Sequence, residues 1–98
     1  METVQLRRYV LEPGRMADFL DWFPAVLPVR EQYGFRVLFA LAAAESNTFT
    51  WAVALDGDQA HFLEVEQVYK DSPERAQAFR TFPDCIAVHE IGFATPVV

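Results

Sequence analysis

The strands of this chain are apolar on both faces, and the order in which they alternate with helices leaves few ways to use them. Hydrophobic periodicity along the 98 residues reads strand, helix, strand, strand, helix, strand. A sheet backed by helices needs only one apolar face. The second must be covered by something the chain does not contain. Leaving it wet would expose an apolar patch of several hundred Å², more than most monomers show. The pattern therefore predicts a homodimer, sheet on sheet, with a pocket at or near the seam.

In the first strand, Val4 to Leu11, Val4, Leu6 and Val10 share one face and Gln5, Arg7 and Tyr9 the other. Glu12-Pro13-Gly14 ends it. From Arg15 to Tyr33, Met16, Phe19, Leu20, Phe23 and Leu27 recur at three and four residues, one helical stripe. Pro24 and Pro28 conflict with a continuous helix. They predict a kink or two pieces, with Pro28 near the start of the second and Gly34 just past its end. Phe35 to Ala44 reads as a second strand, apolar on both faces. Thr48 to Leu55 reads as a third, with Phe49, Trp51 and Val53 alternating against Thr50, Ala52 and Ala54. A second helix over Gln59 to Tyr69 starts at a capping Asp58 and turns Phe62, Val65, Val68 and Tyr69 inward, with His61 at the edge. Ser72-Pro73-Glu74 restarts a short helix that carries Ala76 and Phe79 inward. The last strand runs from Ile86 to Ala94.

Residues 3–45 and 47–96 each repeat strand–helix–strand, the order a split βαβ arrangement requires. The expected fold is α+β, a ferredoxin-like βαββαβ with a four-stranded antiparallel sheet, in one domain over residues 1–98. With 52% hydrophobic residues the chain is not disordered. The net charge of -6, without any basic cluster beyond Arg7-Arg8, argues against nucleic acid and anionic membrane as partners. No apolar run reaches the ~18 residues of a membrane span. The N-terminal residues lack the basic start and apolar core of a signal peptide. A single cysteine, Cys85, forbids an internal disulfide and fits a reducing cytoplasm, and its apolar surroundings mark a buried structural thiol.

The residues that break the apolar pattern are the site candidates. Arg7 and Tyr9 form, with Gln5, a polar row on an otherwise apolar strand. One reading has them line a cavity and bind a carboxylate, phenolate or carbonyl, with Arg7 as charge partner. The other has Arg7 pair with an acid at the subunit interface. Trp51 faces one side of the third strand. His89 shares parity with Ile91 and Phe93 and is a possible pocket base, or a histidine bonded to backbone. His61 and Glu64 lie one helical turn apart, but two ligands do not make a metal site. Glu64 and Glu66 fall on different helix faces and are expected in solvent. Arg8, on the opposite parity from Arg7, should snorkel or find a carboxylate.

Arg-Arg-Tyr-Val-Leu-Glu-Pro-Gly-Arg (7–15), Leu-Pro-Val-Arg-Glu-Gln-Tyr-Gly-Phe-Arg-Val-Leu (27–38), Asn-Thr-Phe-Thr-Trp-Ala-Val (47–53) and Tyr-Lys-Asp-Ser-Pro-Glu-Arg (69–75) together resemble the NIPSNAP family, in that family's order and over the whole length. The resemblance implies a dimeric α/β barrel and no known catalytic set. It says little about chemistry. The first reading, resting on the residues themselves, is binding of a small apolar or aromatic ligand, without a resident cofactor, in a pocket drawn from Arg7, Tyr9, Trp51, His61 and His89. The alternative is a small monooxygenase of the same barrel, heme-degrading or cofactor-free. Heme-degrading members place a tryptophan and a heme-ligating histidine on the elements that here hold Trp51 and His61, and an asparagine where this chain has Arg7.

Overall fold

The computed structural model describes residues 1–98. Strand β1 (Glu2–Leu11) leads through the Pro13-Gly14 turn into a helical segment that breaks where its prolines fall. Helix α1 (Met16–Trp22) gives way to a 3-10 turn over Phe23–Ala25 that holds Pro24, and α2 (Leu27–Gln32) takes Pro28 in its first turn. A proline is tolerated there because first-turn N–H groups have no partner within the helix. Gly34, at φ +93°, turns the chain into β2 (Arg36–Ala43), a conformation that a side chain would strain.

Strand β3 (Thr48–Asp56) follows a short hairpin connection. Helix α3 (Gln59–Lys70) is capped by Asp58, whose carboxylate accepts from the His61 backbone N–H at 2.8 Å. Helix α4 (Pro73–Phe79) is capped by the Ser72 hydroxyl, which accepts from the Arg75 backbone N–H at 3.1 Å. Strand β4 (Ile86–Ala94) completes a sheet of order β2-β3-β1-β4, antiparallel throughout. This is the ferredoxin-like α+β arrangement expected from the element order. No helix is long and apolar enough to cross a membrane.

Cross-strand pairing fixes which residues share a face. The rows Gln5–Val53–Phe93, Arg7–Trp51–Ile91 and Tyr9–Phe49–His89 lie on one side, and Leu6–Ala52–Gly92 and Arg8–Thr50–Glu90 on the other. All the helices pack on the first side, where Tyr9, Phe19, Trp22, Phe23, Val26, Phe49, Trp51, Phe62 and Tyr69 belong to one buried cluster. In β2 a bulge between Val37 and Phe39 changes the parity. Val37 pairs with Val53 on the helix side, whereas Phe39 pairs with Ala52 and Leu41 with Thr50 on the outer side. The small Ala40 and Ala42 are left against Trp51 and Phe49.

The helical stripes differ from the sequence reading at identifiable points. Leu20 and Val68, expected inward, are exposed, and on α4 Ala78 is buried rather than Ala76. The 3-10 turn tightens the winding after Phe23, so the buried set continues through Val26, Val29 and Arg30. On α3 the buried set is Phe62, Glu66 and Tyr69.

Candidate functional site

Between the sheet and the helices lies a cavity of about 110 Å³. Arg7, Tyr9 and Trp51 form its floor on β1 and β3, and His89 stands at the β4 edge. Phe23 and Val26 close it from the first helical segment, and Tyr69, Arg75 and Phe79 from the second. The polar row on β1 therefore faces the helices, and the cavity lies inside the subunit rather than at the seam expected from the sequence.

Four of the five sequence candidates, Arg7, Tyr9, Trp51 and His89, line this one cavity. His61 does not. It sits exposed in the first turn of α3, its ring folded over Gly57 so closely that a Cβ at that glycine would lie 2.8 Å from His61 Cδ2. Trp51 and His61 do not line a common cavity, so the pairing behind the heme alternative does not form. No group of three or more His, Cys, Asp or Glu side chains is placed to hold a metal ion. Cys85 is fully buried and free, and burial pushes its thiol pKa up, away from reactivity.

The floor is a connected polar network. Arg7 Nε donates to Tyr9 Oη at 2.9 Å, and Arg7 Nη1 donates to Gln5 Oε1 at 2.6 Å. Trp51 Nε1 also donates to Tyr9 Oη, at 3.1 Å. Beneath it lies a carboxylate that the sequence reading left in solvent. Glu66 is buried and its Oε2 meets Arg7 Nη1 at 3.4 Å and Arg30 Nη1 at 3.2 Å, while Lys70 approaches Oε1 at 3.8 Å.

Arg30, Glu66 and Arg75 are the site residues that sequence reasoning missed. Arg30 lies under an aromatic lid, its guanidinium carbon 4.2 Å from the Tyr69 ring centre, 4.9 Å from Phe35 and 5.4 Å from Trp51. Such contacts strengthen when desolvated. Burial pulls the Arg30 pKa below its ordinary value, and Arg7 adds to that, while Tyr69 and Glu66 oppose it. The group stays charged at neutral pH all the same. Arg75 stacks 4.0 Å above Phe79. A signal existed for two of them. Arg30 follows Phe19, Phe23 and Val26 at helical spacing, and Glu66 lies between Phe62 and Tyr69 on one stripe. Opposite charges on two inward stripes are a buried pair in outline.

With this geometry in view, comparison with known proteins bears on the fold. No protein-family model and no curated protein matches the chain. Solved structures do match. An uncharacterized NIPSNAP domain protein from Burkholderia xenovorans superposes with a TM-score of 0.82 at 20% identity, covering 98% of this chain and 94% of that one. A NIPSNAP family protein from Agrobacterium tumefaciens gives 0.85 at 10% identity, covering 98% and 93%. A Bordetella bronchiseptica protein, provisionally named an antibiotic biosynthesis monooxygenase, gives 0.76 at 17% identity, covering 99% and 98%. The likeness to NIPSNAP proteins drawn from four sequence segments thus holds in three dimensions: over nearly its whole length, the chain folds as they do.

Proposed function

We propose that the chain forms a homodimer, outer sheet face against outer sheet face, and that each subunit binds a small apolar or aromatic molecule in the cavity between its sheet and its helices. The cavity carries this reading: aromatic walls, a few convergent polar groups and one side reaching solvent near His89 are the ordinary make-up of a small-molecule site. Its volume of about 110 Å³ is close to the roughly 150 Å³ of an engineered lysozyme cavity that takes benzene. The scale suits a single ring or a short branched chain. We place the protein in the cytoplasm, the compartment that suits a lone unpaired thiol.

The outer face supports the pairing. Leu6, Phe39, Leu41 and Val88 lie there between 39% and 62% exposed, around the small Ala52, Ala54 and Gly92 that keep the surface flat. A second copy buries the same patch isologously.

Thermal denaturation with indole, toluene and short fatty acids tests the ligand reading. A ligand at a hundred times its Kd contributes about 2.7 kcal/mol, roughly 10–20 °C in Tm for a domain of this size. Ile86→Trp, which fills the cavity from β4, should abolish the shift. A flat response to every compound would end the reading.

A further inference from the structure

Apart from the imidazole of His89, the free side-chain polar groups of the cavity are donors. Tyr9 Oη accepts from both Arg7 and Trp51. A hydroxyl has two lone pairs and one proton. With both pairs taken, its proton is what Tyr9 has left to offer. Arg30 is 97% shielded from solvent, being 3% exposed, and its Nε–H has no hydrogen-bond partner; the buried Nε–H of Arg75 has none either. Both arginines line the cavity. Buried N–H groups are normally paired, because leaving one without an acceptor costs free energy.

Charge is equally one-sided. Three guanidinium groups, Arg7, Arg30 and Arg75, line the cavity. Glu66 is the one carboxylate within 4.0 Å of any of them, and it is shared by Arg7 and Arg30. Arg75 has no carboxylate partner. The excess of positive charge stands inside a chain whose net charge is -6, so it is a local arrangement and not a reflection of composition.

We propose that the cavity takes an anion, specifically a small aromatic carboxylate, with the ring against the aromatic walls and the carboxylate accepting from Arg30, Arg75 and the Tyr9 hydroxyl. Guanidinium groups recognise a planar carboxylate through charge-assisted hydrogen bonds. The cavity volume leaves little room beside one ring for the bulkier tetrahedral phosphate. This inference rests on the cavity being a ligand site and names the class of ligand.

The test is titration of the purified protein with benzoate, its neutral near-isostere benzamide, phenyl phosphate and inorganic phosphate, read by tryptophan fluorescence and confirmed by calorimetry. Benzoate should bind at least tenfold more tightly than benzamide. Arg75→Met keeps most of the stem that packs on Phe79 but removes the charge. It should weaken benzoate at least tenfold and benzamide by a clearly smaller factor, since the amide carbonyl loses a neutral hydrogen bond and no charge partner. The wild-type benzoate to benzamide ratio decides the matter even if that variant does not fold. Equal affinity for the two overturns the anion inference, with water serving the donors, and leaves the cavity reading standing. Preference for phenyl phosphate, or inorganic phosphate binding as well as benzoate, overturns the aromatic carboxylate. Binding of neither benzoate nor benzamide overturns the inference. Whether the cavity reading falls with it is decided separately, by the apolar panel and Ile86→Trp.

Discussion

Arg7 and Arg8 are neighbours on one strand and live in different solvents. Arg7 points to the helices and pairs with Glu66, the two side chains 13% and 6% exposed. Arg8 points outward and pairs with Glu90, at 41% and 59%. The separations are similar, 3.4 Å and 3.2 Å, so distance does not distinguish them. Surroundings do. Coulomb attraction and desolvation both grow as water is excluded, so the inner network is strongly coupled and the outer pair nearly free. The same strand thus builds a rigid polar floor on one side and a thin charged strip across an apolar surface on the other.

The largest expected effect breaks the inner side. Glu66→Ala leaves Arg30 buried without its carboxylate, and loss of one partner of a buried pair costs about 3–5 kcal/mol. Urea denaturation measures it. A loss under about 1 kcal/mol would mean that Arg7 and Arg30 are as well solvated as Arg8.

Next comes the outer side. Phe39→Glu with Leu41→Glu places charge on the flat apolar face, and should weaken self-association at least a hundredfold, about 2.7 kcal/mol. Light scattering should find two subunits in the parent and one in the variant. A parent of one subunit at micromolar concentration removes the dimer.

Smaller still is the helix that walls the cavity. Ser72 caps α4 and its hydroxyl also donates to the Tyr69 carbonyl at 2.7 Å. Ser72→Ala should cost about 1 kcal/mol. Its effect on benzoate affinity should exceed its effect on dimer mass, because Arg75 and Phe79 belong to that helix.

The smallest effect is at Arg8. In the Phe39→Glu, Leu41→Glu background, Arg8→Ala should cost no more than about 1 kcal/mol, the range of an exposed pair. A larger loss in the parent dimer than in that background would place the Arg8–Glu90 pair within the interface. An equal, large loss in both would erase the contrast between the two faces.

Much of this was legible beforehand, for local reasons. Asp58 and Ser72 cap their helices as their residue types require, Pro28 begins a helix and Gly34 ends one. Strict alternation in β1 and β3 put Arg7, Tyr9 and Trp51 on faces that could be named relative to one another. Strand parity carries no absolute direction, so whether that face met helices or a partner was not readable from spacing. His61 fell near an apolar stripe in the sequence, yet the turn at Gly57 draws its ring out of the cavity. Glu66 looked like solvent-facing charge because its partners, Arg7 and Arg30, are 59 and 36 residues away.

By itself the sequence determined the elements, their order and the breaks between them, because caps, prolines and periodicity act over a few residues. It also gave the sheet a second apolar face, which is the ground for expecting a partner on it. Only the tertiary structure decided which face receives the helices, how the bulge in β2 sends Phe39 and Leu41 outward, and how one buried carboxylate comes to serve two arginines. Those depend on register and on contacts between residues far apart in the chain, where packing and desolvation act and local pattern does not.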